Sequence, residues 1–120
     1  MRLDKKQKLL KKRRWRIRKK INGTLIRPRL TIRLTNMHIH AQCINDENRV
    51  TLVALSSMNK IFNDEKLKVN VISAKILGKK IGKMMKENDI HQCVFDRAGR
   101  LYHGRVKAFA DAVREEGIRF

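Results

Sequence analysis

The sequence predicts an α/β domain whose mixed β-sheet follows the order β-β-β-α-β-α, preceded by a basic N-terminal arm. Three observations support this fold class. Residues 29–44 alternate apolar and polar side chains, as half-buried strands do. Residues 71–87 instead repeat apolar side chains every three or four positions, which is typical of an amphipathic helix. Residues 1–30 contain 14 Lys and Arg and one acid, a net charge of +13, whereas the remaining 90 residues carry +6.

The composition limits the chain to one folded domain and indicates an anionic partner. At 120 residues, 42% of them hydrophobic, the chain can form a single packed core. Its net charge of +19 attracts polyanions, so nucleic acid and an anionic membrane surface are the two candidate partners. No apolar run approaches the roughly 20 residues of a membrane span. We expect a basic RNA-binding arm at residues 1–26 and an α/β domain at residues 27–120.

The arm combines good helix formers with few apolar residues. Alone in water we expect it to be frayed or disordered, because like charges repel along it, and to become helical on phosphate. Trp15 lies inside the sequence RRWRIR, where an aromatic ring can stack on an exposed base while its neighbours pair with phosphates. The apolar face of the arm is too thin for a stable membrane anchor. The RNA-binding candidates in the arm are Lys12, Arg13, Arg14, Trp15, Arg16 and Arg18.

Three strands joined by short turns are expected to form an antiparallel meander. In the first strand, Leu30, Ile32 and Leu34 share one face. The second strand occupies residues 38–44 and ends at a turn rich in Asn and Asp. The third, VTLVAL at residues 50–55, is nearly continuous in apolar residues, which indicates a central strand covered on both faces.

A polar connection at residues 56–69 leads to a long helix, predicted at Val71–Glu87. Gly78 and Gly82 lie four residues apart in it, so this helix can approach the sheet closely. A short strand, Gln92–Phe95, follows, and the helical crossover should make it parallel to the third strand. A final helix closes the domain, and its core stripe comprises Val106, Phe109, Ala110 and Val113.

Several residues suit catalysis or metal binding by type but lack the partners that such sites need. His38 and His40 could chelate zinc, but no third ligand lies near them in the sequence. Cys43 and Cys93 lie in apolar runs and are expected to be buried thiols in a reducing compartment. Asp96 ends a strand, where α/β enzymes place carboxylates, yet the first and third strands contain no acid to complete a two-metal site. The sequence therefore predicts no catalytic residue, no metal and no cofactor.

The segment between the fourth strand and the last helix carries many groups that recognise RNA. The N–H groups that open a helix bind phosphate, and Gly104 lets an RNA backbone approach closely. Tyr102 is a candidate for RNA binding, and the alternative is that its ring packs into the core and only positions the last helix. The candidates in this loop are Arg97, Gly99, Arg100, Tyr102, His103, Gly104 and Arg105.

Two segments resemble a known family. Residues 95–120, FDRAGRLYHGRVKAFADAVREEGIRF, are very similar to the closing signature of large-subunit ribosomal protein eighteen of the bacterial type. Residues 27–46, RPRLTIRLTNMHIHAQCIND, match the first hairpin of that family. The resemblance covers roughly residues 27–55 and 70–120. It implies a sheet with a ribonuclease-H-like motif but no catalysis, bound to 5S rRNA in the central protuberance of the large subunit.

The resemblance also implies which residues face RNA. In the hairpin these are Arg27, Arg29, Arg33, Asn36 and His38. In the C-terminal loop they are Asp96, Arg97, Gly99, Tyr102, His103, Gly104 and Arg105. The chain departs from the family's usual residues at Leu34, Met37, Ala98 (usually Gly or Ser) and Arg100, and its connection at residues 56–69 is short.

We therefore expect a structural constituent of the large ribosomal subunit, not an enzyme. It should bind 5S rRNA and help to attach it to the large-subunit rRNA. Its other partners should be neighbouring ribosomal proteins of the central protuberance, with no membrane and no small-molecule substrate. We expect it in the cytoplasm on a bacterial ribosome, with an organellar ribosome as the alternative. The rival functions are a ribonuclease-H-like nuclease with the same sheet topology and a protein of the membrane surface.

Overall fold

The computed structural model describes residues 3–58, 69–98 and 102–120, with the backbone alone at residues 3 and 17–20. The loop residues Gly99 and Arg100, and most of the connection expected at residues 56–69, lie outside the described residues. The elements are α1 (Leu3–Lys20), β1 (Arg29–Leu34), β2 (Ile39–Asn45), β3 (Val50–Ser56), α2 (Val71–Glu87), β4 (Val94–Asp96) and α3 (Arg105–Glu115). They confirm the α/β class, and α2 has the predicted bounds.

The four strands form one mixed sheet in the order β3-β2-β1-β4. β1 pairs antiparallel with β2, and β2 pairs antiparallel with β3, as a meander requires. β4 is parallel to β1, with Leu30 opposite Phe95. β4 therefore runs parallel to β3, as predicted, although β2 and β1 lie between them. The crossover rule fixes the hand of the connection and not the strand that becomes the neighbour. After β3 the chain crosses β2 and β1, and β4 pairs with β1 on the side opposite β2.

β3 is an edge strand, contrary to the central position predicted from its apolar run. Val53 and Leu55 are buried, whereas Thr51 and Ala54 are exposed and Val50 is 48% exposed. Burial alternates because α2 and α3 pack against one face of the sheet, and the core lies on that side. The side chains on the other face of β3 are mostly small or short, so little apolar area meets water.

The core lies between one face of the sheet and the helices α2 and α3. Each strand contributes every second side chain to it, as the two-residue period of a strand requires. Its main buried residues are Leu30, Ile32, Leu34, Ile39, Ala41, Cys43, Val53, Leu55, Ala74, Leu77, Ile81, Met85, Val106, Phe109 and Val113.

The two glycines of α2 allow a close helix–helix contact. A Cβ at Gly78 would lie 2.5 Å from the carbonyl oxygen of Phe109, and one at Gly82 would lie 2.9 Å from the Cβ of Glu116. The close approach predicted for these glycines therefore exists, but its partner is α3 and not the sheet. At its start α2 is capped by Asn70, whose side-chain oxygen accepts a hydrogen bond from the Ser73 N–H at 2.9 Å.

Both cysteines are free and buried in the core, as predicted. Burial raises the pKa of the Cys43 thiol and of the Cys93 thiol to about 12. At neutral pH both are therefore uncharged apolar packing groups and not nucleophiles.

The packing of α3 predicts a sharp contrast between two substitutions. Phe109 is fully buried, so Phe109→Ala should lower the free energy of unfolding by roughly 3–5 kcal/mol. Lys79 is exposed on the solvent side of α2, so Lys79→Ala should change it by less than about 0.5 kcal/mol. Chemical denaturation of both variants measures the difference, and equal effects would contradict the observed helix packing.

Candidate nucleic-acid interface

The face of the sheet opposite α2 and α3 is polar. Along β1 it carries Thr31 and Arg33, which lie directly across from Gln42 and His40 of β2. These are the side chains that alternate with the core residues of the same strands. The helix α1 lies over this face, and the two surfaces leave a groove between them.

The groove has a volume of about 720 Å³ and combines cationic, aromatic and hydrogen-bonding groups. Its lining residues are Lys11, Arg14, Trp15, Arg29, Thr31, Arg33, Thr35, His40, Gln42, Ile44, Asp96 and Ala98. Among these described lining residues, Asp96 is the only carboxylate. The surface therefore favours an anionic ligand.

A buried ion cluster forms one end of the groove. The Nε of Arg29 donates to Asp46 Oδ2 at 2.9 Å, and its Nη2 donates to Asp46 Oδ1 at 3.1 Å. Its Nη1 donates to Asp96 Oδ2 at 2.7 Å. Burial by itself lowers the pKa of the guanidinium, but the hydrogen bonds and charges of the two carboxylates outweigh it and raise the pKa of Arg29 above its usual value. Arg29 is thus a permanent cation that both carboxylates share.

The cluster continues as a chain of hydrogen bonds to the arm. Asp46 Oδ2 also accepts from the Gly23 N–H at 2.7 Å, which secures the root of the arm. Asp96 Oδ1 accepts from the Ala98 N–H at 2.8 Å, as expected of a carboxylate that holds its following loop. The carbonyl oxygen of Ala98 in turn accepts from the Arg14 Nε at 3.1 Å. The arm is therefore attached to the domain at its root and at its middle.

At two positions, Gly23 and Ala98, the backbone geometry restricts which residue fits. Gly23 has no room for a side chain, because a Cβ there would lie 2.4 Å from the carbonyl oxygen of Ile44. Ala98 has a φ of 54°, in the left-handed region that glycine adopts without strain. The strained φ gives a physical reason why the resembled family often has glycine at this position.

The arm corrects one sequence-based expectation. It was expected to be frayed without RNA, but residues 3–20 form a helix. Lys, Arg, Leu and Gln are good helix formers, Asp4 in the first turn favours the helix dipole, and the Arg14 hydrogen bond anchors the middle. Trp15 is 59% exposed, and the Lys11 Nζ lies 5.2 Å from its ring centroid. Of the other arm candidates, Lys12, Arg13 and Arg16 are exposed, and Arg18 has only its backbone described.

In the hairpin, one of the implied RNA contacts is corrected. Arg29 is only 7% exposed, so its guanidinium is a structural group and not a free RNA contact. Arg27, Arg33 and Asn36 are exposed. His38 is half-buried, and its Nδ1 lies 3.1 Å from Ser57 Oγ.

The start of the C-terminal loop holds a second correction. Asp96, implied to face RNA, is 3% exposed and bound to Arg29. Arg97 and Arg105 are half-buried, and His103 is exposed. Gly104 has a φ of 55°, and no described atom lies within 4 Å of the place where its Cβ would be. Glycine is thus required there by conformation, and the surface beside it is open.

Tyr102 has features both of an RNA-binding residue and of a residue that packs against the core. Its hydroxyl accepts a hydrogen bond from Arg114 Nη1 at 2.7 Å, and its ring meets Phe95 edge-on with centroids 6.2 Å apart. The residue nevertheless remains 36% exposed. It precedes α3, which begins at Arg105, so it does not belong to the first turn of that helix.

The fold gathers the candidates into two neighbouring surfaces. β1 and β4 are parallel, so their carboxyl ends point in the same direction. The hairpin turn follows β1 and the C-terminal loop follows β4, and both segments therefore emerge at the same end of the sheet. The groove brings together Arg14, Trp15 and Arg33 with the buried Arg29 and Asp96, and the other described candidates lie outside it. Sequence reasoning missed the uncharged groups in the groove, although the alternation along β1 and β2 marks them. They are Thr31, Thr35, His40, Gln42 and Ile44.

The described residues contain no group of three or more His, Cys, Asp or Glu side chains placed to hold a metal ion. Within the same residues, no helix combines the length and the apolar composition needed to cross a membrane.

Known proteins resemble this chain over almost its whole length. A family model described as ribosomal L18 of archaea, bacteria, mitochondria and chloroplasts matches residues 4–120. A Nitratidesulfovibrio vulgaris protein named large ribosomal subunit protein uL18 is 47% identical over 109 residues, which cover 91% of this chain and 92% of its own. The proteins of the same name from Finegoldia magna and Oleidesulfovibrio alaskensis are 48% and 43% identical. Those two alignments cover 91% and 100% of this chain and 90% and 100% of theirs.

The ion cluster predicts different roles for two arginines on the same face of β1. Arg29→Met leaves the carboxylates of Asp46 and Asp96 buried without their cation and should lower the free energy of unfolding by roughly 3–5 kcal/mol. Arg33→Met, at an exposed position, should change it by less than about 0.5 kcal/mol. Urea denaturation of the two variants tests this, and an Arg29→Met protein as stable as the parent would refute the structural role.

Proposed function

The chain belongs to the ribosomal L18 family of archaea, bacteria, mitochondria and chloroplasts, and on this basis we propose that it binds 5S rRNA in the large ribosomal subunit. Members of this family are structural, non-enzymatic components of the ribosome, so the role of the chain is structural and not catalytic. We further propose that it helps to attach 5S rRNA to the large-subunit rRNA in the central protuberance, beside neighbouring ribosomal proteins. Its location would then be a ribosome of the bacterial cytoplasm.

The cationic groove is the observation that supports this proposal most strongly. Lys11, Arg14 and Arg33 line it, and its one described carboxylate is already paired with Arg29. An RNA phosphate placed there meets several cations and no unpaired acid. Binding would release counterions from the RNA, which gives a favourable and salt-dependent free energy.

The hairpin turn and the C-terminal loop would extend the contact beyond the groove. Asn36 and His103 are exposed polar groups in the segments that follow the carboxyl ends of β1 and β4. Arg27 is exposed in the segment that precedes β1. The open surface beside Gly104 gives an RNA backbone room to approach the start of α3. In this proposal the phosphate contacts orient the protein, and recognition of RNA shape and of unstacked bases supplies the preference for 5S rRNA.

The preference for 5S rRNA is tested by filter binding at matched salt against 5S rRNA, tRNA and a random RNA duplex. We expect affinity for 5S rRNA to exceed the other two by at least about tenfold, or about 1.4 kcal/mol. Equal affinity for the three RNAs would refute the 5S proposal, because electrostatic attraction alone does not distinguish them.

The location of the binding surface is tested by two variants with the same net charge. One carries Lys11→Gln, Lys12→Gln and Arg13→Gln in α1; the other carries Lys75→Gln, Lys79→Gln and Lys83→Gln in α2. We expect the α1 variant to flatten the slope of log affinity for 5S rRNA against log salt by about 2–3 units. The α2 variant should retain nearly the parental slope, because α2 lies on the opposite side of the sheet. Equal changes would mean that net charge, and not this surface, governs binding.

A further inference from the structure

We propose that the groove between α1 and the polar sheet face binds one unpaired RNA nucleotide, with its base against Trp15 and its phosphate beside Lys11 and Arg33. This inference rests on the proposed rRNA-binding function and specifies which part of an RNA this surface takes. It follows from four properties of the groove: its aromatic wall, its polar floor, its charge and its size.

The aromatic wall is the exposed indole of Trp15. The side chain is 59% exposed although it lines the groove, so a large apolar ring stands open to a ligand. The ammonium of Lys11 lies over the ring at 5.2 Å from its centroid, and the exposure of the residue shows that much of the indole surface remains open. The Arg14 hydrogen bond to Ala98 holds this part of α1 in place. An indole held in this way is a stacking platform for an unstacked base.

The polar floor contains groups suited to base edges. Thr31 and Gln42 lie directly opposite each other on β1 and β2, and His40 lies two residues from Gln42 on the same face. The amide of Gln42 both donates and accepts hydrogen bonds, as the edges of bases do. A surface built for phosphates alone would need only donors, so these neutral groups favour a ligand with a base.

The charge and the size of the groove suit one nucleotide. Lys11 and Arg33 provide cations for a phosphate, and the repulsion from Asp96 is weakened because its carboxylate is buried and hydrogen-bonded to Arg29. The volume of about 720 Å³ falls within the range of roughly 300–1,000 Å³ that is typical of pockets for small ligands. The bases of a duplex keep their faces stacked inside the helix, so a paired RNA cannot offer a base to Trp15.

The intrinsic fluorescence of Trp15 tests the inference directly, because it is the only tryptophan in the chain. The full-length protein is titrated with oligouridylate and oligoadenylate, with a blunt RNA duplex of equal phosphate number, and with inorganic polyphosphate. We expect both unpaired oligonucleotides to quench the indole at saturation, and the duplex and polyphosphate to leave it nearly unchanged. Equal quenching by polyphosphate or duplex, or no quenching by the oligonucleotides, would overturn the inference.

Variants test the two walls of the groove separately. Trp15→Ala should weaken binding of a labelled oligouridylate by about 5- to 150-fold, and Trp15→Phe should restore much of it, since stacking needs only an aromatic ring. Gln42→Ala should weaken binding of the same oligonucleotide, whereas Gln92→Ala, at an exposed position outside the groove, should not. Equal effects of the two glutamine substitutions would contradict the proposed role of the floor.

The results separate this inference from the proposed function. A protein that prefers 5S rRNA but whose Trp15 fluorescence ignores unpaired RNA would refute the nucleotide site and leave the proposed function intact. A protein that binds unpaired oligonucleotides through Trp15 but shows no preference for 5S rRNA would support the site and refute the 5S proposal.

Discussion

A buried guanidinium between two carboxylates is the interaction on which the rest of the structure depends. Arg29 begins β1, while Asp46 follows β2 and Asp96 ends β4, so one side chain ties together the ends of three strands. The same carboxylates hold the backbone N–H groups of Gly23 and Ala98, which lie at the root of the arm and in the loop that the arm touches. The placement of α1 over the sheet therefore follows from the charge pairing inside the domain. Removal of Arg29 would leave two neighbouring carboxylates without the cation that both of them bind, which is why the cluster acts as a unit.

Local periodicity predicted much of the fold, because it reports which side chains are buried. The bounds of α2 and the faces of β1 and β2 followed from it directly. It could not predict which strand β4 would join, since pairing across 65 residues depends on packing of the whole sheet. The apolar run of β3 predicted a central strand, but β3 lies at the edge, because strand order also depends on packing of the whole sheet. Burial of a strand's second face depends on what covers it, and on β3 the residues Thr51 and Ala54 of that face remain exposed.

The cationic character of the candidate site was predictable, whereas the polar strand residues that line it, and Lys11 among the arm's cations, were not identified. Clusters of arginine mark the arm and the loop in the sequence, but nothing local distinguishes Gln42 or His40 from other polar residues of a strand. The family resemblance implied that Arg29 faces RNA, and the sequence could not show otherwise because its partners Asp46 and Asp96 are 17 and 67 residues away. Long-range ion pairing decides whether a cation is a ligand-binding group or an internal support. This distinction requires the tertiary structure.

The hydrogen bond from Arg14 to Ala98 joins residues 84 positions apart. During synthesis the arm is made before its partner in the loop, which follows 84 residues later. Contacts of such long sequence separation form late, after the chain between them has folded. Until that loop has been made, the arm must therefore lack its hydrogen bond to Ala98. The groove becomes complete only when β4 has paired with β1, so the last strand of the sheet assembles the surface that the first helix covers.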